Sequence, residues 1–107
     1  MPRIVVLYPP PVDAAAFEQL YLEEHVPLVR AQMPAVRRFE VSRVQGGARG
    51  PYYWMAQLHF DSMDALRSTA SSDGAQRAAG HAQQISTGGV PTTLIVDDVH
   101  PPTAEVP

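Results

Sequence analysis

At 107 residues the chain is long enough for one hydrophobic core and too short for two. Its apolar fraction of 45% is that of a soluble globular protein, no apolar run is long enough to span a bilayer, and the absence of cysteine excludes disulfides and thiolate chemistry. Eight arginines, no lysine and eleven carboxylates give a net charge of −3 without a dense basic patch, which argues against nucleic-acid binding, where phosphate neutralisation dominates affinity.

Arg3-Ile4-Val5-Val6-Leu7-Tyr8 reads as a strand, rich in β-branched residues and ended by Pro9-Pro10-Pro11, which cannot donate to a ladder. Four consecutive aliphatics are too few for a signal-peptide core, so the expected location is the cytoplasm. Asp13 is an N-cap candidate ahead of three alanines. Phe17, Leu20, Tyr21, Glu24 or His25, and Leu28 then recur at helical spacing, predicting a helix from about 14 to about 32 that Pro34 stops. Pro27 predicts a distortion inside it, because it removes a backbone donor and its ring meets the carbonyl four residues back.

Val36–Gln45 predicts a second strand with Arg37, Phe39, Val41 and Arg43 on one side. Gly46–Pro51 is rich in turn residues, so the second and third strands are expected to form an antiparallel hairpin. Along Tyr52–Phe60, Tyr52, Trp54, Ala56, Leu58 and Phe60 fall on one face, expected to meet the helices. Tyr53, Met55, Gln57 and His59 fall on the other, expected to line a cavity or an interface. Asp61 or Ser62 caps a helix from Met63 to about Ser71. Ser72-Asp73-Gly74 breaks it, and an alanine-rich helix follows from Ala75 to about Ile85. Val90–His100 predicts a fourth strand, and residues 101–107 a loose, proline-rich tail after a single domain of 1–100.

This order predicts an α+β, ferredoxin-like βαββαβ fold, with a four-stranded antiparallel sheet carrying helices on one face. The other sheet face is left uncovered in one chain, and two copies packed sheet to sheet would close a dimeric α+β barrel.

Several residues could carry chemistry. His25 has an ordinary pKa suited to proton transfer near neutrality, and Tyr21, four residues earlier on the same helix face, could orient it or hold a substrate oxygen. The structural alternatives are a histidine bonded to Glu24 and a core tyrosine. Phe39, Tyr53 and Trp54 could wall an aromatic ligand, or serve as core or interface. His59 could be a second proton-transfer group, bind a substrate oxygen or act structurally, and His81 and His100 read as surface residues. No His-x-x-x-His or Glu-x-x-His spacing occurs, so no metal is expected. Neither glycine pair stands in a strand–loop–helix nucleotide motif, so no flavin or nicotinamide cofactor is expected.

The chain resembles the EthD family of the dimeric α+β barrel superfamily over nearly its whole length. The resemblance rests on the Ile4–Tyr8 strand followed by prolines, Phe17–Leu28 with Tyr21 and His25-Val26-Pro27-Leu28, Phe39–Val44, Ala56–Leu66, and Thr87-Gly88-Gly89-Val90. It implies a homodimer with a small-molecule pocket in each subunit, and it leaves the reaction to be argued from the site. The expected function is cofactor-independent proton transfer (isomerisation, dehydration or cyclisation) on a small, largely apolar carbonyl or phenolic compound. The alternatives are a cofactor-free oxidation of a phenolic or anthrone-like substrate, a small-ligand carrier, and a dimerisation module.

Overall fold

The β-branched run near the N-terminus forms its strand where the sequence places it. In the computed structural model, which describes residues 1–46 and 49–99, β1 (Arg3–Tyr8) is one of the two inner strands of a sheet ordered β2-β3-β1-β4. Its neighbours are β3 (Trp54–His59), paired from Arg3 opposite His59 to Tyr8 opposite Trp54, and β4 (Thr92–Val96), paired from Arg3 opposite Val96 to Leu7 opposite Thr92. β2 (Arg38–Arg43) completes the far edge, with Arg38 opposite His59 and Arg43 opposite Trp54. All pairs are antiparallel, the ferredoxin-like arrangement that the sequence predicts. β1 has its predicted bounds, and β2, β3 and β4 are shorter than their predicted spans. Single backbone bonds continue the pairing beyond them, Arg37 N–H to the His59 carbonyl (2.8 Å) and Val44 N–H to the Tyr53 carbonyl (2.8 Å). Gly47, Ala48, His100 and the 101–107 tail lie outside the described residues.

The long first helix is three segments: α1 (Ala14–Leu20), a wide π-helical turn (Tyr21–His25) and α2 (Val26–Gln32). Asp13 caps the start, accepting the Ala16 N–H at 3.1 Å. The distortion expected near Pro27 lies just before it, and the reason is steric. An α-helical turn would press the proline ring on the Glu23 carbonyl, and proline has no N–H to give that carbonyl. The chain widens instead, and the Val26 N–H reaches back five residues to the Tyr21 carbonyl. The widening also explains a burial pattern. Phe17, Tyr21, His25, Val29 and Met33 are all buried at a strict spacing of four. Such a series drifts around an α-helix of about 3.6 residues per turn, and the wider turn takes up part of that drift.

α3 (Met63–Ala70) is capped by Ser62, which accepts the Ala65 N–H at 3.1 Å. Asp61, the other candidate, pairs with Arg37 at 2.7 Å instead. α4 (Asp73–Ile85) begins two residues before the predicted start, because Ser72 caps it and Asp73 in the first turn suits the helix dipole. Gly74 sits hard against the end of α2: a Cβ there would lie 2.1 Å from the Gln32 carbonyl oxygen.

The core lies between the helices and one sheet face, on which Ile4, Tyr8, Trp54, Ala56 and Leu58 are buried. Tyr8, Phe17, Tyr21 and Trp54 form its aromatic centre, with ring centroids 5.3–5.8 Å apart and several edge-on pairs. Such pairs contribute about 0.5–1.5 kcal/mol each beyond area burial. The opposite face carries Val5, Leu7, Met55, Gln57, His59 and Leu94, and among the described residues no helix packs on it.

Tyr53 corrects the predicted alternation. It precedes β3, and its ring swings to the helix side, where its hydroxyl donates to Glu18 of α1. Arg43 makes two bonds to the same carboxylate, at 2.6 and 2.9 Å.

Candidate functional site

Small side chains on α4 create the site. Ala75, Ala78, Ala79 and Ala82 face β1 and β3 across a gap that methyl groups cannot fill, leaving a cavity of about 200 Å³. Its walls are otherwise mainly aliphatic, from the sheet and α2. The polar groups reaching it are few: Tyr8, Tyr21, His25, Gln83 and Thr93. Of the lining residues, Ala70 on α3, Ala79 and Gln83 on α4 and Thr93 on β4 are exposed, and the last three put an opening between α4 and the edge strand.

His25 enters this cavity from the wide turn and is 5% exposed. Its Nδ1 lies 2.9 Å from Nδ1 of His81 on α4. The two rings are parallel within 7° with centroids 5.2 Å apart, about the sum of the Nδ1–Nδ1 distance and two ring radii. They therefore meet edge to edge, nearly coplanar, along one N–H···N line. His81 Nε2 lies 3.5 Å from Glu24 Oε1. Burial, reinforced by the His81 ring, pushes the His25 pKa down to about 4, so His25 is neutral at pH 7. Its Nε2 makes no hydrogen bond among the described residues.

Tyr21 packs its ring against His25, with centroids 4.9 Å apart, but its hydroxyl gives His25 no hydrogen bond. That hydroxyl and Trp54 Nε1 are sealed from solvent; they and the Tyr8 hydroxyl influence one another, yet among the described residues neither sealed atom has a partner in bonding geometry. Burial raises the pKa of both tyrosines, and for Tyr21 the neighbouring Tyr8 raises it further. Both phenols stay protonated.

The structure brings His25 and Tyr21 together on the cavity and places the other predicted site residues elsewhere. Trp54 is buried in the aromatic centre, and Phe39 packs edge-on against Tyr21 at 6.5 Å. Tyr53 serves the Glu18–Arg43 cluster, where the Arg43 bonds and then the Tyr53 bond hold the Glu18 carboxyl below its ordinary range. His59 lies on the uncovered face, its Nε2 2.7 Å from Glu40 Oε1, while Arg38 donates to Glu40 Oε2 at 2.8 Å. The reading of His81 as a surface residue is overturned. It is half-buried against His25, and a signal for it existed: His81 follows Ala78 by three and precedes Ile85 by four, beside the buried stripe of α4. Among the described residues no three His, Cys, Asp or Glu side chains converge as a metal site, and no helix is long and apolar enough to cross a membrane.

A ferredoxin-like α+β fold with a small pocket between helices and sheet defines the class of protein. Within it, this chain belongs to the family described as REDY-like protein HapK, whose model matches residues 3–99. An uncharacterized 11.0 kDa protein from the thcB–thcC intergenic region of Rhodococcus erythropolis is 39% identical over 101 residues, covering 92% of this chain and 95% of that protein. The EthD kinship appears in a crystal structure of an EthD family protein from Bacillus halodurans C-125. That protein is 26% identical with a TM-score of 0.80, covering 92% of this chain and 99% of the other. HapK of Hahella chejuensis shares the fold at a TM-score of 0.65 and 20% identity, covering 99% of this chain and all of that one.

Proposed function

We propose that this protein binds a small, largely apolar compound bearing a carbonyl or phenol oxygen, and moves a proton on it without a cofactor. The observation that carries this reading is a neutral, buried histidine with one unbonded ring nitrogen in an apolar cavity. Exclusion of water strengthens electrostatic interactions inside such a site. In this reading His25 Nε2 takes a proton from carbon next to the carbonyl, and the electron pair moves onto the substrate oxygen. Tyr8, a protonated phenol on the cavity wall, donates to that oxygen. Tyr21 supports the His25 ring from behind. Return of the proton at another atom gives isomerisation; its delivery to a β-hydroxyl, which leaves as water as the carbon–carbon double bond forms, gives dehydration; attack of the carbanion on a second carbonyl, whose oxygen takes the proton, gives cyclisation. The cavity is smaller than the roughly 300–1,000 Å³ of pockets for drug-sized ligands, so the substrate is a compound of one or two rings.

The uncovered sheet face, with Val5, Leu7, Met55 and Leu94, is the surface through which we propose that two chains pair. Leu94 is 44% exposed in the single chain. Sedimentation at micromolar concentration is expected to give the mass of two chains; a single-chain mass would remove this part of the proposal.

The catalytic reading is tested with 2-cyclohexenone, 1-indanone and 1-tetralone in D₂O. The protein is expected to speed deuterium entry beside the carbonyl of at least one of them, followed by proton NMR. Tight binding without exchange would replace the enzyme with a carrier. Neither binding nor exchange across a wider carbonyl and phenol panel would overturn the reading.

A further inference from the structure

We infer that His81 and Glu24 are positioning residues that decide which nitrogen of His25 carries the proton, leaving Nε2 as the bare base. The inference rests on the proposed proton-transfer role of His25 and adds two residues to it.

A neutral imidazole has one N–H and one lone pair, so two nitrogens 2.9 Å apart must be one donor and one acceptor. Two arrangements satisfy this. In one, His25 donates from Nδ1 and its Nε2 is free to accept a proton. In the other, His81 donates, and His25 carries its proton on Nε2, where it cannot act as a base. The edge-to-edge geometry is the same for both.

Glu24 breaks the tie. A carboxylate accepts only, and it faces Nε2 of His81 at 3.5 Å. That distance is longer than a short charge-assisted hydrogen bond, and Glu24 is 59% exposed, so it acts through its charge on the orientation of the neighbouring N–H. Its negative charge favours the proton on His81 Nε2. In a neutral His81 ring, Nδ1 is then the acceptor, His25 Nδ1 the donor, and His25 Nε2 is bare.

The arrangement follows from chain geometry. Glu24 and His25 are adjacent in the wide turn, and consecutive helical side chains point in different directions. One reaches each nitrogen edge of His81, which α4 inserts between them. When His25 accepts a substrate proton at Nε2, its Nδ1–H stays bonded to His81, and Glu24 lies on the far side of that ring to offset the positive charge.

The test uses the full-length protein labelled with ¹⁵N-histidine and no ligand, so it is independent of whether a substrate is found. Nitrogen chemical shifts distinguish protonated from bare ring nitrogens. In the unaltered protein His25 is expected to show a protonated Nδ1 and a bare Nε2, and His81 a protonated Nε2. Glu24→Lys places a donor where the acceptor stood, on an exposed position that leaves the core intact, and is expected to shift the His25 Nε2 signal to the protonated range. His81→Phe is expected to release His25 to a mixture of tautomers. A protonated His25 Nε2 in the unaltered protein would overturn the inference, and so would a His25 tautomer that Glu24→Lys leaves unchanged. The deuterium-exchange experiment can fail without altering either result.

Discussion

His25→Gln is expected to lower deuterium exchange into a carbonyl substrate by about 10²–10⁴-fold, the usual contribution of one positioned general base, while making the protein more resistant to acid. The two effects share one cause. Burial and the His81 ring bring the folded-state pKa of His25 to about 4, whereas an exposed histidine in the unfolded chain titrates near 6.5. The folded chain therefore refuses a proton that the unfolded chain accepts, and stability rises with pH across that window. Above pH 6.5 this group has no effect. As pH falls from 6.5 towards 4 its contribution costs about 3 kcal/mol in all, of which about 2 kcal/mol has been lost by pH 5. Glu18 and Glu40 are held below the ordinary carboxylate range and Asp98 at about 2, so their losses come further down the acid scale. Urea unfolding at pH 7 and pH 5 isolates the histidine: the variant loses less stability than the parent between the two. Equal losses would mean that His25 is not held neutral by burial; an ordinary histidine pKa also serves a base at pH 7, so the base assignment is decided by the exchange rate of the variant.

Ala78→Leu is expected to weaken binding of any cavity ligand by at least about 100-fold, with the melting temperature unchanged or raised. Ala78 is buried and lines the cavity, so a larger apolar side chain there enters open volume and does not compress packed atoms. Added methylenes destabilise a well-packed core by about 1–3 kcal/mol, but here they remove apolar surface from water and displace the ligand. Calorimetric titration of a compound found in the carbonyl panel measures the loss. Undiminished affinity would move the ligand elsewhere, first to the second depression, beside Arg30, Arg37 and Arg38 at the end of α2.

The sheet was legible because strand alternation and proline punctuation act locally. β1 falls on its predicted residues, and Trp54, Ala56 and Leu58 face the helices as their alternation requires. Tyr53 departs from that rule because it lies outside the regular strand, and a hydrogen bond to Glu18 outweighs continuation of the pleat. The same alternation separates His59 from the cavity, since neighbours along a strand point to opposite faces. His25 stood out as a histidine beside a proline on an amphipathic helix. Its partner did not, because 56 residues separate it from His81 and only the docking of α4 against the wide turn joins them. The cavity depends on what alanine fails to fill, and helical periodicity marks a small buried stripe without saying what faces it.

The wide turn can be viewed as an inserted residue. If one residue between Tyr21 and His25 were removed and Pro27 replaced by alanine, the buried series would become spacings of four, three, four and four. An ordinary α-helix carries that pattern with less drift. The fold thus has a simpler and better-bonded helix available through one deletion and one substitution. What the chain would lose is the seating of Glu24 and His25 on either side of one imidazole. Length variation among related chains at this turn should therefore track the presence of the histidine pair and not the integrity of the sheet.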